Sequence, residues 1–136
     1  MALTAEQRAF LEDVHFAVLG TVSASGAPHL TVMWYVLDGD EIMFNTVATR
    51  AKASNLDRDD RVSLLVYDAT GYRYLRIDGR VRRNDDPNVG QADIRRLALR
   101  YYGGDEARVE RAVRDRWSRE QRVSYRLPTT RVYDYR

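Results

Sequence analysis

The sequence predicts a mainly β fold with helices (α+β), in which about six short antiparallel strands roll into a small barrel that carries one helical insertion. Apolar, β-branched and aromatic residues recur in short runs separated by Gly, Pro, Asp and Ser, the pattern of strands joined by turns. Asp38-Gly39-Asp40 has hairpin chemistry. Helical spacing is confined to the N-terminus, a stretch after the third run, and residues 88–117. Rolling the strands into a closed sheet removes exposed edges.

The elements follow in order. Thr4-Ala5-Glu6-Gln7 fits a helix start with Thr4 as N-cap, and Phe10, Leu11 and Val14 supply an apolar stripe for a helix over residues 5–13. Phe16–Val22 reads as the first strand, closed by the turn residues of Ser23–Pro28. His29–Leu37 is the second strand, joined by the Asp38–Asp40 turn to a third over Glu41–Thr46. Thr49–Leu56 is a short helix, and Arg61–Val66, continuing to Tyr67, is the fourth strand. In the fifth, Tyr72–Val81, Tyr74, Arg76 and Asp78 alternate with Leu75 and Ile77, and Gly79 suits a bulge. Ile94, Leu97, Ala98 and Tyr101, then Val109, Ala112, Val113 and Trp117, mark two helices broken by Gly103-Gly104. Arg122–Leu127 and Arg131–Tyr135 are closing strands on either side of Pro128.

A length of 136 residues predicts one domain spanning residues 1–136. With no cysteine there is no disulfide, thiolate nucleophile or Cys-based metal site. No apolar stretch approaches the roughly 20 residues of a membrane span, and a cytoplasmic protein is the expectation. Lys and Arg total 22 against 20 Asp and Glu, a formal charge of +2, which argues against a nucleic-acid partner despite the aromatic strands. Arginines between Arg95 and Arg122 alternate with acids and read as a solvated, salt-bridged helical face.

Lys52 is the only lysine in the chain. It follows a strand at a helix start, where free backbone N–H groups and the helix dipole attract an anion such as a phosphate. A solvated surface lysine fits the residue type as well. Arg50 and Lys52 lie roughly 200° apart on an ideal helix, so they converge on one anion only if Arg50 belongs to the preceding loop. Met33-Trp34-Tyr35 and Phe44-Asn45-Thr46, neighbours across one hairpin, offer a wall for a flat ring, with Thr49, Arg50 and Lys52 at its end. The same aromatics also suit a core. His15 and His29 stand alone, no metal-ligand spacing occurs, and no serine has a His and Asp arrangement. Side-chain hydrolysis is therefore not expected, whereas a cofactor can carry a reaction for which the fold supplies binding and orientation.

Phe16–Val22, Gly26–Tyr35, Thr49-Arg50-Ala51-Lys52-Ala53-Ser54-Asn55-Leu56 and Asp60–Val66 together resemble the pyridoxamine 5'-phosphate oxidase-like superfamily. Within it, the chain is most similar to the small deazaflavin (coenzyme F420)-dependent reductases. The likeness spans residues 10–84, and Leu127–Tyr133 resembles the family's closing strand. The resemblance implies a split β-barrel homodimer with two cofactor sites at the subunit interface. Arg50 and Lys52 would meet the phosphate of F420 or FMN, and the ring would lie along Met33–Tyr35 and Phe44–Thr46. The partner subunit would add residues near Tyr72 and Arg73. The implied reaction is hydride transfer between the deazaflavin, or FMN, and a small unsaturated or conjugated substrate. A cofactor carrier without turnover is the alternative. No side chain is assigned as catalytic; solvent, Tyr72 and Tyr35 are the candidate proton sources. Residues 88–117 match no motif of that family.

Overall fold

In the computed structural model, which describes residues 2–135, the first helix, α1 (Ala5–Glu12), opens with a capping box. Thr4 Oγ1 accepts from the Gln7 amide at 3.0 Å, and Gln7 Oε1 accepts from the Thr4 amide at 3.0 Å. Two free amide donors at the helix start are thereby satisfied reciprocally.

The strands are β1 (Ala17–Val22), β2 (Pro28–Met33), β3 (Val36–Asp38), β4 (Glu41–Val47), β5 (Arg61–Tyr67), β6 (Tyr74–Arg80), β7 (Arg82–Asn84), β8 (Arg122–Pro128) and β9 (Val132–Tyr135). They form two antiparallel sheets, ordered β2-β1-β5-β6-β9 and β3-β4-β8-β7, which together make a split β-barrel. Leu19, Phe44, Leu64, Leu75, Ile77, Tyr125 and Leu127 fill the space between them. Burying each such side chain contributes about 1.5–3 kcal/mol.

Among the described residues nine strands form, two more than the seven runs expected, for two physical reasons. The run His29–Leu37, expected as one strand, is two. β2 ends with Met33 paired to Ala17, and β3 pairs Val36 with Met43 in the other sheet. Trp34 and Tyr35 carry the chain across. The Tyr35 amide donates to Tyr101 Oη at 3.1 Å, and Tyr35 Oη donates to the Leu11 carbonyl at 2.9 Å, so side-chain bonds stand in for strand pairing at the break. Met33–Tyr35 and Phe44–Thr46 are therefore not cross-strand neighbours in one hairpin. The short β7 was not expected either. After β6 the Val81 amide donates to the Asp60 carbonyl at 3.0 Å, and the next residues join β8 through Arg82–Arg126 and Asn84–Ser124. Gly79 makes no bulge; it pairs in register with Val62, and a Cβ there would stand 3.0 Å from Leu127 Cδ1. Its glycine permits the two sheets to approach.

The short helix α2 (Ala51–Arg58) follows β4. The insertion consists of α3 (Pro87–Tyr101), α4 (Glu106–Asp115) and a 3-10 turn, Trp117–Arg119. Asp86 caps α3 through a bond from the Asn88 amide at 2.9 Å, and Gly103 and Gly104, at φ 65° and 83°, end it. Leu97 packs on Val36 and Met43, and Ile94 and Ala98 pack against Val109, Val113 and Trp117. Trp34 touches both clusters. Arg100 fastens the insertion to the barrel by donating to the carbonyls of Tyr35, Glu12, Leu11 and Asp13. That placement, with Arg122 on β8, corrects the reading of these arginines as parts of a solvated face. Among the described residues no helix is long and apolar enough to cross a membrane.

Candidate functional site

A cleft of about 260 Å³ opens where the end of β2, the β4–α2 junction, α3, the 3-10 turn and β8 meet. Its lining is asymmetric. Arg50, Lys52 and Arg122 supply charge beside Asn45 and Thr46, whereas Trp34, Ile94, Leu97 and Trp117 supply an apolar wall.

The charged end grows out of local structure. β4 delivers Asn45 and Thr46, and the turn after it ends at Arg50, the N-cap residue of α2, in extended conformation at φ −75°, ψ 155°. Arg50 thus lies just ahead of the helix, the arrangement that allows it and Lys52 to line one cleft. No side chain caps the first turn of α2. Lys52 is 9 % exposed. Among the described residues, neither its ammonium nor the Arg50 guanidinium has a hydrogen-bond acceptor or carboxylate partner. Burial, with Arg50 and then Arg122 nearby, pushes the Lys52 pKa below the usual lysine value. Holding cations together without counter-charge is unfavourable, and an anion in the cleft would relieve it.

Arg122 is the third cation. Its Nε donates to Asn45 Oδ1 at 2.8 Å and its Nη1 to Glu120 Oε1 at 2.9 Å. Asn45 Nδ2 donates in turn to the Gly90 carbonyl and Ser124 Oγ, both at 3.0 Å. Every hydrogen-bonding atom of the buried Asn45 amide is used, so the guanidinium is held at a fixed position. Burial lowers the Arg122 pKa, and Glu120 works against that shift.

The apolar end rests on stacked rings. Trp34 lies on Tyr101 with centroids 5.1 Å apart and planes 10° apart, and meets Trp117 edge-on at 6.4 Å and 86°. Trp117 lies beside Tyr102 at 6.4 Å and 18°.

Of the residues singled out from sequence, Met33, Trp34, Asn45, Thr46, Arg50 and Lys52 line this cleft. Tyr35 and Phe44 turn their side chains into the core, Phe44 stacked on Tyr125 at 5.1 Å. The Tyr35 hydroxyl is held by the Leu11 carbonyl, and burial pushes its pKa upward, so it presents no proton to the cleft. Thr49 is exposed beside the cleft's mouth residues. Tyr72 and Arg73 sit at the β5–β6 turn; Tyr72 is 81 % exposed, and Arg73 pairs with Asp134 at 2.6 Å. Phe16, Val32, Ile94, Leu97, Arg116, Trp117 and Arg122 also line the cleft and were not picked out from sequence. Gly90 inside a helical run was the available signal, because glycine there is unfavourable unless something packs close.

The fold has counterparts among known proteins. The family model described as pyridoxamine 5'-phosphate oxidase matches residues 3–131. An F420H(2)-dependent biliverdin reductase of Mycobacterium tuberculosis (strain CDC 1551 / Oshkosh) is 31% identical over 101 residues, 73% of this chain and 72% of that protein. Among solved structures, an F420 reductase superposes with a TM-score of 0.76 at 26% identity, covering 96% of this chain and 98% of that one. Rv2991 from Mycobacterium tuberculosis superposes with a TM-score of 0.79 at 29% identity, covering 99% and 85%. The chain belongs to the pyridoxamine 5'-phosphate oxidase family.

Proposed function

We propose that the protein is an oxidoreductase that uses coenzyme F420 to reduce a small unsaturated or conjugated organic substrate in this cleft. The observation that carries the reading is the unpartnered pair Arg50 and Lys52 beside Arg122. These donors fit a phosphate group in number, charge and donor chemistry. The likeness to two proteins named for F420 favours the deazaflavin over FMN.

Hydride transfer is the chemistry that a bound deazaflavin would supply. This chain's own residues bind, orient and shield. Arg50, Lys52 and Arg122 neutralise the phosphate, with Arg122 held in place by Asn45 and Glu120. Thr46 offers a polar side chain beside the ring, and Trp34, Ile94, Leu97 and Trp117 exclude water from one side. The proton that accompanies the hydride comes from solvent or, across a dimer, from the partner subunit's Tyr72, since the Tyr35 hydroxyl is engaged in the core.

The working form is a homodimer. A cleft of about 260 Å³ falls below the roughly 300–1,000 Å³ of sites that enclose a ligand of this size, and a second copy would complete it. On the edge strand β2, Leu30 and Val32 are 67 % and 62 % exposed. Phe16 and Val32 belong both to this apolar face and to the cleft. The exposed Tyr72, with Arg73, is then a residue for the neighbouring copy's site. Val32→Asp is expected to halve the mass measured by sedimentation and to weaken cofactor binding. A monomeric native protein would remove the dimer from this reading.

Titrating the full chain with F420 and FMN side by side tests the function. Deazaflavin binding in preference to FMN, followed by reoxidation of the reduced coenzyme by a quinone, tetrapyrrole or unsaturated carbonyl, is the expected result. Binding of FMN alone would favour an FMN oxidase or reductase of this fold, and binding without reoxidation would favour a carrier. Binding of neither coenzyme would overturn the assignment.

A further inference from the structure

The insertion places a fourth cation in the cleft. Arg116 ends α4 and begins the 3-10 turn, lines the cleft, and has a side chain 62 % exposed. The backbone around it is fixed: Gln91 Nε2 on α3 donates to the Trp117 carbonyl at 2.9 Å and to the Glu120 carbonyl at 3.2 Å. The guanidinium itself is only loosely engaged, 3.5 Å from Glu120 Oε2, and that carboxylate already takes the closer bond from Arg122.

Charge balance separates Arg116 from the other three. Arg50, Lys52 and Arg122 against the one Glu120 carboxylate leave two positive charges, enough to match a phosphate. Arg116 is surplus to that match, and it directly precedes Trp117 on the insertion. The indoles of Trp34 and Trp117, perpendicular to each other, form a corner braced by Tyr101 and Tyr102. A flat conjugated molecule stacks on one indole and meets the edge of the other. A planar guanidinium at its rim matches a carboxylate in a two-point contact.

We propose that Arg116 and Trp117 form the substrate-selecting end of the cleft and that the substrate they select is a planar conjugated carboxylate. The proposal rests on the oxidoreductase reading and names the substrate class of the same site. It also gives residues 88–117 a role: the barrel side carries the charge for the phosphate, and the insertion chooses what is reduced.

Biliverdin and its dimethyl ester are a suitable probe pair, because they share one conjugated skeleton and differ in the two carboxylates. The chain has two tryptophans, Trp34 and Trp117, and both line the cleft, so quenching of their emission reports binding to the ligand-free full chain. Biliverdin is expected to bind about tenfold more tightly than the ester, a difference of about 1.4 kcal/mol. Arg116→Glu should abolish that preference while changing F420 affinity by less than about twofold and leaving the thermal midpoint in place, as suits an exposed side chain. Trp117→Leu should weaken both probes by the same factor and keep the preference. A preference that survives Arg116→Glu, or is lacking in the native chain, would overturn the proposal. So would an equal loss of F420 affinity, which would assign Arg116 to the coenzyme's anionic tail. If native protein binds no F420, the oxidoreductase reading fails, while the probe ratio still decides the role of Arg116.

Discussion

Gly90→Ala is expected to destabilise the protein by about 3 kcal/mol or more, at the upper end for overpacking, and to disable the cleft in whatever protein still folds. A Cβ at position 90 would stand 2.1 Å from the Arg122 carbonyl oxygen and 2.7 Å from its carbon. Those are backbone atoms of β8, paired with Val47 of β4, so no rotamer change relieves the clash and α3 must move away from the sheet. The shift would pull the Gly90 carbonyl from Asn45 Nδ2, and Asn45 would no longer hold Arg122. A thermal melt should show a midpoint lowered by about 10 °C or more, taking roughly 4 °C per kcal/mol for a chain of this size. Gly79→Ala is the comparison, because its Cβ would meet only the tip of the Leu127 side chain at 3.0 Å. A melt for Gly90→Ala within a degree or two of the native one would contradict the close packing of α3 on β8.

Lys52→Met should cost about 1–3 kcal/mol of cofactor affinity, the range of a charge-assisted hydrogen bond, or about fivefold to 150-fold in Kd. Folding stability should be kept or raised, because the variant removes a buried, unpartnered charge and retains an apolar stem. The pH dependence distinguishes the two effects. With its folded pKa depressed below the unfolded value of about 10.4, Lys52 is protonated more readily in the unfolded chain between those two values. The penalty for the buried charge is therefore full below the folded pKa, and the ligand-free chain gains stability as pH rises through the window. Phosphate binding has the opposite sign, since it needs the ammonium and weakens as pH climbs through the free protein's Lys52 pKa. Lys52→Met should lack both slopes. An unchanged Kd at neutral pH, measured by fluorescence titration with F420, would return Lys52 to a purely structural position.

Local chemistry in the sequence sufficed for most of the fold. Thr4 with Gln7, Asp38-Gly39-Asp40 and the Gly103-Gly104 break act within a few residues, so their effects are visible without knowing the tertiary structure. The β2–β3 division was hidden because His29–Leu37 is uniformly strand-forming. What splits it is a set of distant partners, Tyr101, Leu11 and Met43. The cleft follows the same division. Arg50 and Lys52 were visible as a local strand-to-helix junction, whereas Arg122 stood among alternating charges and looked like a surface residue. Only the folded chain brings it to Asn45, 77 positions away. Likewise Trp117 read as one more apolar position on a helix until α4 and the 3-10 turn carried it to Trp34.

Trp34 and Tyr35, where one run of residues passes from the first sheet to the second, also bear on how such a cleft diversifies. The charged end is written mainly into residues 45–52 and position 122, whereas the aromatic end is written mainly into residues 94–117. Selection can redraw the second stretch without disturbing the first, provided that Trp34 keeps a ring to build against. A duplicated gene therefore has a short route to a reshaped aromatic end beside an unchanged charged end, and position 116 is the first place to look for the difference.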